Sequence, residues 1–320
     1  MTPLVSVLIL TYNHEKFIAQ AIESVLAQRV NFNLEILIGN DCSTDATGKI
    51  VNDYALKHKE LIKVFTPSQN LGALKNEKLL FDNASGKYIC FLEGDDFWTD
   101  EFKLQKQVDF LEANVDCGLT HGDVNHYYEN TGITEYRVNK LNSFKVPEGF
   151  IFNELMKPEP FFIKTATVCF RKELISIHFD YELAIRENWV LTDWPLWLVI
   201  AYHSKVHYFD EVFATYRLLN ESASRTVSPE KKYNFHKSLY RIKQYYIEKY
   251  KCDDLVKELL AKEYYRGLIK IGFNMNDKVI IEDAINLLKQ KENRIKLKEK
   301  IMALGAKHKW LYRLLKLIKP

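Results

Sequence analysis

The sequence predicts an α/β fold, a mostly parallel sheet flanked by helices, followed by a helical C-terminal appendage. Three observations predict it. Over the first hundred residues, short apolar runs alternate with amphipathic helical spacings, the pattern of strand-helix-strand units. Those runs end in polar clusters, placed where ligands bind in open α/β sheets, beyond the carboxyl ends of the strands. From about Pro229 the apolar period is helical to the end. The composition agrees: 320 residues, 47% apolar and 27% charged, suffice for a sizeable core and exclude disordered and collagen-like classes.

Each element follows from its own pattern. Residues 5–11 are a continuous apolar run, hence a buried strand, and after Asn13 the residues Phe17, Ile18, Ala21, Ile22 and Val25 keep helical spacing. A second strand covers 34–38 and a second helix 45–58. A third strand at 62–65 leads to a helix over 71–84, which Ser85-Gly86 ends before a strand at 88–92. A helix over 103–114 follows. The pattern then becomes irregular and aromatic-rich, with prolines at 147, 158 and 160, so a loop-rich second half is expected. Within it, 165–171 reads as a strand, 195–203 as a helix and 206–218 as a strand. The expected domains are 1–225, in two halves at 1–115 and 116–225, and a helical region at 226–320.

Five cysteines at 42, 90, 117, 169 and 252 form no CxxC pair or zinc spacing, so neither a disulfide scaffold nor a structural zinc site is expected. The first residues lack the basic stretch and long apolar core of an export signal, and no apolar window is long enough to span a bilayer. A cytoplasmic location is expected. Net charge is only +3, yet residues 294–320 carry nine Lys or Arg against Glu299 alone, which makes the tail +8 and the remainder −5. On a helix, Trp310, Leu311, Leu314, Leu315, Leu317 and Ile318 fall on one side, opposite Lys309, Arg313, Lys316 and Lys319. Such a helix either lies peripherally on an anionic membrane face through 308–319 or docks on the body. No nucleic-acid partner is expected, because no binding module accompanies the basic residues.

Two clusters carry chemistry. The strand ending in Glu93-Gly94-Asp95-Asp96 delivers three carboxylates into one turn, and hard cations such as Mn2+ or Mg2+ bind carboxylate and phosphate oxygens together. Like charges placed beside a crevice need a cation to offset them; the plain alternative is an acidic turn that caps the helix at Lys103. At the end of the second strand, Asp41 is placed to accept from a nucleobase, with turn chemistry as its alternative. Ser43, Thr44 and Asp45 can cap the next helix, and for them turn chemistry is the expected role.

Taken together, these motifs resemble the family 2 glycosyltransferases of the GT-A fold, with a Rossmann-like nucleotide-binding sheet, and their bacterial surface-polysaccharide branch. The resemblance rests on 5–13, Asn40-Asp41-Cys42-Ser43-Thr44-Asp45, Asn70-Leu71-Gly72, 86–89, Glu93-Gly94-Asp95-Asp96 and the stretch 93–111. It implies that Tyr12 packs on the base, Asp41 bonds the uracil ring, Asp95 touches ribose or diphosphate, and Asp96, with Asp95, holds the metal. Thr11 and Asn13 neighbour the nucleotide or serve as helix-entry residues, Asn70 and Gly72 lie near the donor, and Lys75 and Arg217 reach the diphosphate. Leu191-Thr192-Asp193 resembles a Glu-Asp element whose aspartate is the general base, with Thr192 where glutamate is usual. Asp193 also suits the N-cap of the helix that follows, and Asp180, Glu182 and Glu187 remain alternative bases. Relatives often continue the Asn70-Leu71-Gly72 loop into Ala-Arg-Asn, whereas this chain has Lys75-Asn76-Glu77-Lys78, and the resemblance makes 1–115 the nucleotide-sugar half and 116–225 the acceptor half.

The expected function is therefore inverting, metal-dependent transfer of a sugar from a nucleotide-sugar donor, a UDP-sugar, to a saccharide or lipid-linked saccharide acceptor in surface-polysaccharide synthesis. The alternatives are a nucleotide-binding module without turnover, a membrane-peripheral scaffold, and a nucleotidyltransferase. The last would carry a Gly-x-Gly start that this chain lacks after Leu10.

Overall fold

The computed structural model describes residues 2–141, 145–157, 162–219, 228–291, 295–308 and 313. The chain opens with β1 (Val5–Thr11), α1 (Ile18–Leu26), β2 (Leu34–Asn40), α2 (Thr47–Lys57), β3 (Ile62–Phe65), α3 (Ala73–Asn83) and β4 (Tyr88–Glu93). Strands β1, β2 and β4 are buried along nearly their whole length, which is why they read as unbroken apolar runs. Helix α1 buries Ile18, Ala21, Ile22 and Val25, the stripe its spacing predicts.

The middle of the chain contains β5 (Phe97–Trp98), α4 (Lys103–Ala113), β6 (Cys117–Tyr128), β7 (Ile133–Glu135), α5 (Val138–Leu141) and α6 (Phe152–Met156). A 3-10 turn at Thr165–Thr167 precedes β8 (Cys169–Arg171), α7 (Lys172–His178), α8 (Tyr181–Arg186), α9 (Trp194–His203) and β9 (Lys205–Leu218). Among the described residues the strands form one sheet in the order β3-β2-β1-β4-β8-β6-β9-β5, with β7 paired to β6. Strands β3, β2, β1 and β4 are mutually parallel, whereas β8 is antiparallel to both β4 and β6.

The second half is thus more regular than its sequence reads. Strand β6 was not expected: Thr120, His121 and Asp123 interrupt its apolar pattern, yet all three are fully buried. The 165–171 segment also differs, because the 3-10 turn takes its first three residues and leaves a three-residue strand. Helix α3 starts at Ala73 rather than 71, since Gly72 before it adopts φ +82°, outside the helical region.

Two compact units result. One comprises β1 to β9 with their helices; the other joins Asn188–Val190 to α10 (Pro229–Lys249), α11 (Asp254–Met275), α12 (Lys278–Lys291) and α13 (Leu297–Lys307). Ser228 caps α10 by accepting from Lys231 N–H. Within this unit Leu268, Ile269, Phe273, Ile281, Ala284, Leu288 and Ile295 form the core of α11 to α13. No helix among the described residues is long and apolar enough to cross a membrane. Of residues 308–319, only His308 and Arg313 fall among the described residues, so the amphipathic helix read there lies outside them.

Candidate active site

The parallel register brings the three polar clusters to one edge. Thr11 pairs with Asn40 and Leu10 with Glu93, so β1, β2 and β4 end side by side. Beyond them Asn13 and Cys42 take left-handed φ of 56° and 57°, and the two loops are bonded together. Asn13 N–H donates to Ser43 Oγ at 3.0 Å and Thr44 N–H to Asn13 Oδ1 at 2.8 Å. Non-glycine residues in this region are uncommon and gather at functional sites. Asp45 forms a turn, accepting from Thr47 N–H at 2.9 Å and from Glu15 N–H, while the N-cap residue of α2 is Ala46, which offers no side-chain cap.

Asp41 is buried at the end of β2, and each carboxylate oxygen takes one backbone donor: Leu71 N–H at 2.7 Å and Gly72 N–H at 2.9 Å. Asn70 Nδ2 adds a bond to the Asp41 carbonyl. Asp41 therefore fastens the Asn70–Gly72 loop to the sheet edge, so Asp41, Asn70 and Gly72 meet. Tyr12 is 44% exposed beside them. Lys75 stands exposed on α3.

The acidic turn lies at the end of β4. Asp96 is buried; its Oδ1 accepts the Arg217 N–H at 2.8 Å, while its Oδ2 is buried with no partner. Glu93 Oε2, Thr11 Oγ1 and His14 Nδ1 are likewise buried without partners. Gly94 lets them approach, because a Cβ there would lie 2.7 Å from Thr11 Oγ1 and 2.9 Å from His14 Nδ1. His14 Nε2 is 4.0 Å from Asp95 Oδ1. The turn does not cap α4, whose N-cap residue Phe102 offers no side-chain cap; Asp100 accepts the Phe102 N–H at 2.8 Å just before the helix. Arg217 directs its guanidinium at protein acceptors, giving 2.8 Å to the Asp95 carbonyl, 2.8 Å to Glu129 and 2.7 Å to Gln20, with the Phe17 ring 4.7 Å away. It braces the turn.

Asp193 occupies the N-cap of α9, accepting from Trp194 N–H at 2.6 Å, and Thr165 donates a short hydrogen bond to its other oxygen. The alternative carboxylates are otherwise engaged. Asp180 caps α8 by accepting from Leu183 N–H, Glu182 pairs with Lys78 at 3.4 Å, and Glu187 is exposed.

Negative charge accumulates here, offset in part by Arg217 and Lys164. Burial pushes the Asp96 carboxyl well above the usual range, and Asp95 and Glu93 push it further. Burial, then Asp193 and Asp95, raise Glu93 to about 8. On α3 the buried Glu77 is also raised to about 8, by burial first and then by Asp193, against bonds from Tyr181 and Thr192. Lys164 faces this group: burial lowers its ammonium, and Asp193 and Asp96 oppose that lowering.

A divalent cation fits this donor set. Among the described residues no three His, Cys, Asp or Glu converge as an all-protein metal cage. Mg2+-type sites, however, use one or two carboxylates together with substrate phosphates, and the buried unpartnered Asp96 Oδ2 is an acceptor of that kind. Three residues of the site were missed in the sequence: His14, Lys164 and Glu77. The buried carboxyl at 77 has a sequence signal, a glutamate inside the Leu74, Leu80 and Phe81 stripe of α3.

The model of the family described as Glycosyl transferase family 2 matches residues 6–176, more than half of the chain. The chain belongs to glycosyltransferase family 2. This family 2 chain is 29% identical, over 69% of its length, to the putative teichuronic acid biosynthesis glycosyltransferase TuaG of Bacillus subtilis, of which it covers 82%. It is 36% identical, over 39% of its length, to an uncharacterised protein of Mycobacterium tuberculosis, and spans only 36% of that relative. Among solved structures it resembles S. aureus TarS in complex with UDP-GlcNAc, with a TM-score of 0.56 at 18% identity, covering 94% of this chain and 79% of TarS. A mannosyltransferase of Pyrobaculum calidifontis in complex with GDP-Man and Mn2+ also gives 0.56, at 16% identity, covering 99% and 84%. The fold is accordingly GT-A, as expected from the sequence.

Proposed function

We propose that the protein is an inverting, metal-dependent glycosyltransferase that moves a sugar from a UDP-sugar onto a saccharide or lipid-linked saccharide in surface-polysaccharide synthesis. The observation that carries this reading is the buried, unpartnered Oδ2 of Asp96, set among Glu93 and Asp95 at the strand ends of a family 2 chain.

Each group then has a task. Tyr12, exposed at the crevice, offers a face for the nucleobase, and the loop that Asp41 fastens lies beside it. Thr11, Asn13, Asn70 and Gly72 line the same edge, and Lys75 and Lys164 offer positive charge to the diphosphate. Mn2+ or Mg2+, held by Asp96 with Asp95, would when bound supply Lewis-acid neutralisation of the leaving diphosphate. Asp193 removes the acceptor hydroxyl proton, and a single displacement through an oxocarbenium-like state inverts the anomeric centre. Its bonds from Thr165 and Trp194 N–H hold one carboxylate orientation for that transfer. In this reading residues 308–319 bring the cytoplasmic chain to an anionic membrane face, where a lipid-linked acceptor resides.

Turnover of UDP-sugars by native protein and by Asp193→Asn tests it. Loss of about a hundredfold or more in turnover, with UDP affinity kept, is expected; unchanged turnover would remove Asp193 as base. A second reading, nucleotide binding without transfer, draws on Thr192 standing where glutamate is usual, and would give UDP binding with no turnover in the native protein.

A further inference from the structure

Glu77 is a costly residue where it stands. It lies on the buried face of α3, 2% exposed, and its Oε1 accepts the Tyr181 hydroxyl at 2.9 Å. The Thr192 hydroxyl also donates to it, and the Asp193 carboxylate is close enough to raise its proton affinity. Isolating a carboxyl from water costs several kcal/mol unless it is neutral or well bonded, so an apolar side chain would fill this position at lower cost. The packing is otherwise ordinary: Phe81 and Tyr181 rings meet at 5.5 Å, and Lys78 pairs with Asp82 and Glu182 on the outer side of the same helix.

What distinguishes Glu77 is the set of segments it joins. Tyr181 begins α8, Thr192 immediately precedes Asp193, and Asp193 starts α9. Thr192 and Asp193 sit on a short stretch outside regular structure, where few bonds fix the backbone. Thr165 and Trp194 N–H hold the Asp193 carboxylate itself, and among the described contacts Glu77 is the group that holds the residue before it.

We propose that Glu77 is a positioning residue for Asp193, anchoring Thr192 to Tyr181 so that the aspartate keeps its place in the crevice. This inference rests on the reading of Asp193 as the base. Glu77 touches neither donor nor acceptor, and its effect is confined to turnover.

The test compares Glu77→Gln, Glu77→Leu and Thr192→Val with the native chain. Three readouts are taken: UDP release from UDP-N-acetylglucosamine, UDP-glucose and UDP-galactose with Mn2+, UDP affinity by calorimetry, and amide exchange across 188–197. Glutamine retains an acceptor for both hydroxyls, so turnover within about threefold of native is expected. Leucine and the Thr192 variant are expected to lower kcat about tenfold or more, to leave UDP affinity within twofold, and to speed exchange at 191–194 but not within α9. Native kcat and native exchange in both Glu77→Leu and Thr192→Val would overturn the proposal, as would parallel losses in affinity and kcat. Should the leucine variant fail to fold, Thr192→Val decides alone by the same criteria. Asp193→Asn separates the two claims. If it alone abolishes turnover, only the Glu77 inference fails; if it leaves turnover intact, the base reading fails. If the native protein turns over none of the donors, the transferase reading fails and amide exchange decides whether Glu77 holds the loop.

Discussion

The Asp96 carboxylate accepts the backbone N–H of Arg217 at 2.8 Å, while the Arg217 guanidinium donates back to the Asp95 carbonyl at the same distance. The acidic turn is thereby clamped from both sides by one residue of β9. Because Arg217 also bonds Glu129 and Gln20, its planar fork links four chain segments at the crevice.

Replacing that fork should therefore loosen the turn. Arg217→Lys retains charge but reaches fewer acceptors, and buried polar partners left unmade cost about 1–3 kcal/mol each. Denaturant melts are expected to show a loss of about 2–4 kcal/mol, accompanied by at least tenfold weaker UDP binding in Mn2+. A variant with native stability and affinity would show that the clamp is not needed.

The Asp41 fastening gives a second expectation. Asp41→Asn turns one acceptor oxygen into a donor facing the Leu71 or Gly72 N–H, and should cost about 2 kcal/mol. Gly72→Ala meets no steric obstacle, since open space surrounds it, but its φ of +82° strains any side-chain-bearing residue by about 1–3 kcal/mol. Both should weaken UDP binding more than they lower the melting temperature of the second unit. Unchanged affinity in both variants would separate this loop from the donor.

Gly94 predicts a sharper effect on binding. A methyl group there would collide with Thr11 and His14, so Gly94→Ala should displace the Asp95–Asp96 turn and reduce Mn2+-dependent UDP affinity at least tenfold. The corresponding measurement is calorimetric titration of the variant. Native affinity would show that the turn relaxes freely.

Glu77 gives a pH dependence whose sign is fixed. Its folded-state proton affinity is raised, to about 8, above that of an unfolded glutamate, so its contribution to stability is whole below the unfolded value and is lost as pH rises toward 8. The slope from this group is about 1.4 kcal/mol per pH unit. Glu77→Gln removes it, so native and variant stabilities should diverge progressively in urea melts from pH 5 to 8, in favour of the variant. A constant difference across that range would mean Glu77 is ionised in the folded chain. Glu93, raised in the same direction, leaves a residual slope in both proteins.

The first hundred residues were legible because their pattern is local. Strands β1, β2 and β4 are short apolar runs followed by Tyr12, Asp41 and Asp95, and a parallel arrangement puts such ends on one edge whatever the loops do. Helix α9 announced itself through Asp193 and Pro195. Strand β6 did not, because its buried Thr120, His121 and Asp123 are held by tertiary contacts, Asp123 by the Asn139 N–H at 2.9 Å, and no alternation survives. The bracing role of Arg217, read from the sequence as a diphosphate contact, and the place of Glu77 escaped for a related reason: they depend on partners 122 and 104 residues away along the chain. Spacing within one segment carries no trace of such pairs.

Calorimetric titration of UDP with and without Mn2+, on the native chain and on Asp96→Ala, tests the role of Asp96 most directly. UDP binding that requires Mn2+ and disappears in Asp96→Ala is the predicted result. Binding of UDP that is indifferent to both the metal and the substitution, in a folded protein, would contradict it.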